Sequence, residues 1–180
     1  VGALEFALAK RQGQATSLST EFLNWASNEA CGDKQDGGFF SDLWKGFAAY
    51  GICTESNLPY QRTFAPSNAP PHAALADAKT RLVLGLRLHW IKEWNVNTGL
   101  TDEHLAAIKS TLDRGWPVCG GLRWPKQEQW VADVLQMCPS NAVRDGHSVL
   151  LVGYRNEAAQ LGGGLFIFRN TAGTGQDGFM

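Results

Sequence analysis

An α+β protein with two unlike lobes is the architecture this 180-residue sequence predicts. Three observations carry that reading. Apolar residues recur at helical spacing through the first half, and from about residue 82 short alternating runs bounded by glycine and proline take over. There is also no internal repeat, so the two textures belong to different structures rather than to copies of one. The division is placed between a helical lobe over 1–88 and a β-rich lobe over 89–180.

The chain opens inside an amphipathic pattern, with Val1, Leu4, Leu8 and Ala9 on one helical face. That helix is therefore expected to begin upstream of Val1, and the chain to be a fragment. Ser19 is placed to cap a second helix from Thr20 to about Asn28, with Glu21 favourably in its first turn. Phe40, Leu43, Trp44, Phe47 and Ala48 define a third, which Gly51 stops. "NLPYQRTFAPSNAPP" holds four of the seven prolines and reads as loop, ahead of an alanine-rich helix at about 72–81. Next, "RLVLGLRLHWI" alternates and predicts a strand, and Thr101 caps a helix carrying Leu105, Ile108 and Leu112 on one face. Three further strands are predicted at "PVCGGLR", "HSVLLVGY" and "GLFIFRN", with a tryptophan-rich insert after the first.

Composition narrows the possible functions. A hydrophobic content of 44% with seven Trp and nine Phe supports a real core, and the formal charge of −1 with sixteen scattered Lys and Arg offers no footprint for nucleic acid. No window approaches the ~18 apolar residues of a membrane span. Cys31, Cys53, Cys119 and Cys138 match no zinc spacing and no C-x-x-C pair, so neither a metal nor a cofactor is expected. Their even number leaves up to two disulfides open. Compartment and oligomeric state are not encoded in any feature of the chain.

The residues that suggest chemistry stand in the last third. His147 opens the apolar run of "DGHSVLLVGY", and Asn170 ends "GLFIFRN". If these runs are hairpin neighbours, the start of one lies beside the end of the other, and His147 meets Asn170 at one end of the sheet. An amide oxygen bonded to one ring nitrogen fixes the imidazole's tautomer and leaves the other nitrogen free to handle a proton. A purely structural His–Asn bond would have the same spacing.

The order "GG…GWPV…DGHSVLLVGY…FIFRNTAGTGQDGF" resembles the papain family of cysteine peptidases over nearly the whole chain. "VGALEFALAKRQG" looks like the body of that family's central helix, and "LSTEFLNWASNEAC" and "GICTESNLPY" look like its next helix and the approach to its Pro-Tyr loop. The resemblance implies a papain-like two-lobed fold, a helical lobe and an antiparallel β-rich lobe with the active-site cleft between them. It implies His147 as the catalytic histidine and Asn170 as its orienting partner. Gly37 and Gly38 match the glycine pair whose bare backbone pairs with an extended substrate. Phe39, Gly121, Gly146 and Ser148 match residues around the substrate, Gly121 being the second of a Gly120-Gly121 pair. The implied partner is a peptide or protein substrate.

Departures from the pattern limit this. The family's nucleophilic cysteine would fall about six residues before Val1, where a helix N-terminus helps hold a thiolate, and its oxyanion glutamine further upstream. By motif position none of the four cysteines present replaces it. Ala172 stands where the family has a tryptophan that shields the His–Asn bond, the turn after it is short, and Gln35 replaces a usual disulfide cysteine. The expected function is thus a thiolate, acyl-enzyme endopeptidase present as an inactive fragment. The competing expectations are a pseudoenzyme that binds peptides or proteins without chemistry, and a related acyl transferase.

Overall fold

The computed structural model describes residues 1–65, 68–95, 97–160, 162–170 and 178–179, and of Asp145 and Phe179 the backbone only. Two compact units divide it, Val1–His89 and Trp90–Met180.

In the first unit, α1 (Gly2–Gln12), α2 (Thr20–Cys31), α3 (Phe40–Tyr50) and α4 (His72–Lys79) follow the helical spacing of the sequence. Ser19 caps α2 as its chemistry predicts: its hydroxyl accepts the Phe22 N–H at 2.9 Å and donates to the Leu58 carbonyl at 2.6 Å. Although Ser19 is fully buried, its hydroxyl is satisfied in both roles. Two apolar clusters share α2, one containing Leu8, Leu18, Leu23, Phe47 and Ile52, the other Phe22, Ala26, Cys53, Ala74 and Ala78.

α2 and α3 cross at Gly46. A Cβ there would meet backbone only: the Ser27 amide nitrogen, the Ala26 carbonyl carbon at 2.6 Å and the Ser27 Cα at 2.7 Å. Ordinary helix propensity would make Gly→Ala a gain of about 1 kcal/mol, but here neither backbone can yield without separating the helices. Gly46→Ala is therefore expected to destabilise, by about 1–3 kcal/mol in urea unfolding. An increase in stability would show that the crossing is looser than described.

The segment 81–91 corrects the sequence reading. Leu82–Leu84 form a single 3₁₀ turn, Gly85 follows at φ 60°, and no ladder forms beyond it. Leu84 and Leu86 pack against the Leu8 cluster while Val83 and Arg87 face solvent. The alternation thus marks a turn and the irregular chain after it, laid so that alternate side chains meet an apolar surface. Without a neighbouring strand it is not a sheet.

In the second unit, α5 (Asp102–Asp113) has Thr101 as a capping box partner to His104, and Gly115 follows at φ 70°. A six-stranded sheet comprises β1 (Val118–Pro125), β2 (Trp130–Val131), β3 (Val134–Leu135), β4 (Val143–Asn156), β5 (Gly164–Arg169) and β6 (Gly178–Phe179) in the order β1-β4-β5-β6-β3-β2. Its pairings are antiparallel except β3 with β6. The three predicted strands are β1, β4 and β5, while β2 and β3 lie in the tryptophan-rich insert. His147 does not open its strand, because β4 begins four residues earlier, where Val143 pairs with Pro125. One face of the sheet is apolar: Trp124, Val149, Leu151 and Phe168 join Ile108 of α5 and Leu135 of β3. Among the described residues no helix is long and apolar enough to cross a membrane.

Candidate active site

Strand parity decides which side chains can meet in the β-rich unit. Leu122 of β1 stands opposite His147, and Leu151 of β4 opposite Phe168. Leu122, Trp124, His147, Val149, Leu151 and Phe168 therefore project from one face, and Asn170, two residues past Phe168, follows them. His147 and Asn170 meet there. Nε2 of His147 lies 2.9 Å from Oδ1 of Asn170, in a partly buried bond. An amide oxygen can only accept, so Nε2 carries a hydrogen, and Nδ1 is not engaged by that bond.

The remaining predicted residues divide. Gly121 pairs with Ser148, and Gly146 with Arg123, on the opposite, exposed face of the same two strands. A Cβ on Gly146 would touch the half-exposed Trp94 ring at 3.9 Å. Gly37, Gly38 and Phe39 belong to the helical unit, in the loop between α2 and α3. That loop is tied down by two asparagines spaced i, i+4 on α2: Asn24 Oδ1 accepts the Gly37 N–H at 3.1 Å, and Asn28 Nδ2 donates to the Gln35 carbonyl at 2.9 Å. Asn24 Nδ2 also donates to Asp36 at 2.8 Å. Gly37 sits at φ 82°, a left-handed conformation that favours glycine, and a Cβ there would meet nothing within 4 Å. A cavity of about 480 Å³ opens in the same unit, lined by Asn24, Asn28, Glu21, Trp25 and Gln61 among others. None of the predicted site residues lines it.

The four cysteines are free thiols. Burial pushes Cys53 up to about 11, and desolvation together with the Asp42 carboxylate raises Cys31, both away from the thiolate a nucleophile needs. Cys119 pairs with Leu150 on β4, three positions along β1 from Leu122, and so faces away from His147. Cys138 points its thiol at the Ala142 carbonyl. Among the described residues no three His, Cys, Asp or Glu side chains are grouped to hold a metal ion.

Comparison of the whole chain with solved structures reports on the fold. It superposes on xylellain, a cysteine protease from Xylella fastidiosa, with a TM-score of 0.69 and 23% identity, over 99% of this chain and 68% of that one. It also superposes on the digestive procathepsin L 3 of Tenebrio molitor larval midgut, with a TM-score of 0.56 and 22% identity, over 98% of this chain and 53% of that one. The chain has a papain-like fold. No protein-family model and no curated protein sequence matches it. At this identity the superpositions establish the α+β papain-like architecture and leave the chemistry to be argued from residues.

On this papain-like fold the sequence reading missed Trp124. Its ring centroid lies 4.5 Å from that of His147 at an interplanar angle of 58°, and it is only 3% exposed. The sign was present in "LRWP", where Trp124 is two residues past Leu122 and so on the same face. Its indole N–H donates to Glu128 Oε1 at 2.7 Å, and that of Trp130 to Oε2 at 3.2 Å. Ala172, where the sequence departs from the papain pattern, lies outside the described residues.

Those two indole bonds, Trp124 first, hold the Glu128 carboxyl below its ordinary value of 4.5. The fold favours the ionised form, so its contribution is complete above the unfolded value and is lost as pH falls through the lower folded one. Acid titration followed by the indole N–H signals of Trp124 and Trp130 is expected to show a transition below 4.5 that Glu128→Gln removes. A midpoint at or above 4.5 would contradict the assignment.

Proposed function

We propose that this chain serves peptide-bond hydrolysis by a cysteine thiol, with His147 as acid and base and Asn170 as its orienting partner. The observation that carries the reading is the 2.9 Å bond between His147 Nε2 and Asn170 Oδ1, which commits one nitrogen and leaves Nδ1 for proton transfer. The similarity to two cysteine proteases in fold supports it. The nucleophile is read as a cysteine preceding Val1, since the four thiols present are raised, turned away or otherwise engaged.

The chemistry proceeds in two steps. The thiolate adds to the substrate carbonyl, and as the C–N bond breaks the imidazolium gives its Nδ1 proton to the departing amine. Water then attacks the thioester, passing a proton back to Nδ1, and the acid product leaves with the thiolate regenerated. Gly37, Gly38, Phe39, Gly121, Gly146 and Ser148 are the proposed substrate contacts. Support comes from the open space around Gly37 and from the shared exposed face of Gly121, Gly146 and Ser148. Bare backbone at such positions can hydrogen-bond an extended peptide.

The test is covalent labelling of the whole gene product by a peptidyl epoxide or vinyl sulfone. Labelling of a cysteine upstream of Val1, lost on His147→Ala, is the expected result. A folded protein that binds peptides but never labels would be a binding module, and the hydrolytic reading would fall.

A further inference from the structure

Three aromatic side chains and one carboxylate form a continuous structure behind His147. Trp124 contacts the imidazole. Phe168 meets Trp124 edge-on at 5.9 Å and stacks on Trp130 at 6.1 Å. Trp130 is seated in turn against Gly178, where a Cβ would lie 2.6 Å from its Cζ3. Glu128 joins the two indoles from the solvent side by accepting both N–H groups. Each ring is thereby fixed by two neighbours, and the one closest to His147 is almost wholly buried.

We propose that Trp124, clamped by Glu128, is the positioning residue that keeps His147 in one tautomer with its Nε2–H on Asn170 and water excluded from that bond. This rests on the role given to His147 above. The physical argument is that a His–Asn bond at a sheet end competes with water, and a hydrogen bond is retained best where its surroundings are dry and immobile. An indole at 4.5 Å supplies both: it occupies the volume a water would need, and it removes the rotation by which the ring could present Nδ1 to Asn170 instead. Glu128 acts at one remove. Two charge-assisted bonds to a single carboxylate prevent the Trp124 side chain from swinging out to solvent.

The experiment requires no thiol and no turnover. The whole gene product is labelled with ¹⁵N, and the ring of His147 is followed at mildly alkaline pH by long-range ¹H–¹⁵N correlation, together with the exchange rate of its Nε2 proton. The parent protein is expected to show the Nε2–H tautomer alone. Trp124→Leu is expected to give mixed tautomers and proton exchange faster by roughly tenfold, the protection one hydrogen bond supplies. Trp124→Phe, which restores an aromatic ring without the N–H that Glu128 holds, and Glu128→Gln, which weakens the clamp, should both fall between the parent and Trp124→Leu. A folded Trp124→Leu protein with unchanged tautomer and exchange overturns the proposal. If that variant does not fold, an unchanged ring signal in Glu128→Gln overturns it, the exposed site of that substitution keeping the fold intact. The ring can behave as expected while the labelling experiment fails. That outcome would remove the peptidase and leave the positioning role standing.

Discussion

Replacing Phe168 by alanine is expected to lower the stability of the β-rich unit by about 3–5 kcal/mol, the range for emptying a buried aromatic site. Phe168 is 1% exposed and lies opposite Leu151, with Trp124 against its edge and Trp130 across its face. Neither neighbour can collapse into the space, because Trp124 is tethered to Glu128 and Trp130 to both Glu128 and Gly178. An unrelieved cavity costs toward the upper end of that range. Against a typical total of about 5–15 kcal/mol the loss would be large. Urea unfolding followed through the amides of β4 and β5 measures it. A cost below about 1 kcal/mol would show that the tryptophans rearrange and that the clamp is slack.

In the whole gene product, His147→Ala is expected to reduce peptide hydrolysis by about 10²–10⁴-fold, the usual contribution of a positioned acid and base. On the proposed role the loss should fall on kcat with KM little changed, since a ring that handles a proton in the transition state does not hold the ground-state substrate. The fold should survive, because His147 is only partly buried and the core around it is formed by Val149, Leu151 and Phe168. Steady-state hydrolysis of a fluorogenic peptide is the measurement. Activity within about tenfold of the parent would remove His147 from the chemistry.

Much of this arrangement is legible in the amino-acid order alone, for reasons that differ by residue. The meeting of His147 and Asn170 is legible because a short connection between two apolar runs forces them antiparallel, and an antiparallel pair places one strand's start beside the other's end. Ser19 and Thr101 are legible as caps because a helix start needs a side-chain acceptor at one position only. Trp124 is not legible in the same way. Its contact depends on the register of β1 against β4, which brings together residues far apart in sequence, and on a parity fixed only once Leu122 is set opposite His147. Asn24 and Asn28 are hidden for a related reason: they bond the backbone of a loop, and no side-chain pattern announces that. The misread strand at 81–91 has the plainest cause, since alternation reports which side chains face an apolar surface and not whether a second strand lies beside them. Strands of two residues, such as β2 and β3, leave no periodic signal at all.

The strand order has a kinetic consequence. Among the described residues the ladder that ties β2 and β3 to the rest of the sheet runs through β6, so that tie waits until Gly178 and Phe179 have come back beside β5. Pairing β3 with β6 closes the long loop between Leu135 and Gly178, which is slow compared with zipping β4 onto β5 across the short connection from Asn156 to Gly164. A refolding chain would therefore bring His147 and Asn170 together early and seat Trp130 late. In the interval the imidazole would have its partner but lack the finished wall behind it, and the ring would settle after most of the secondary structure had formed.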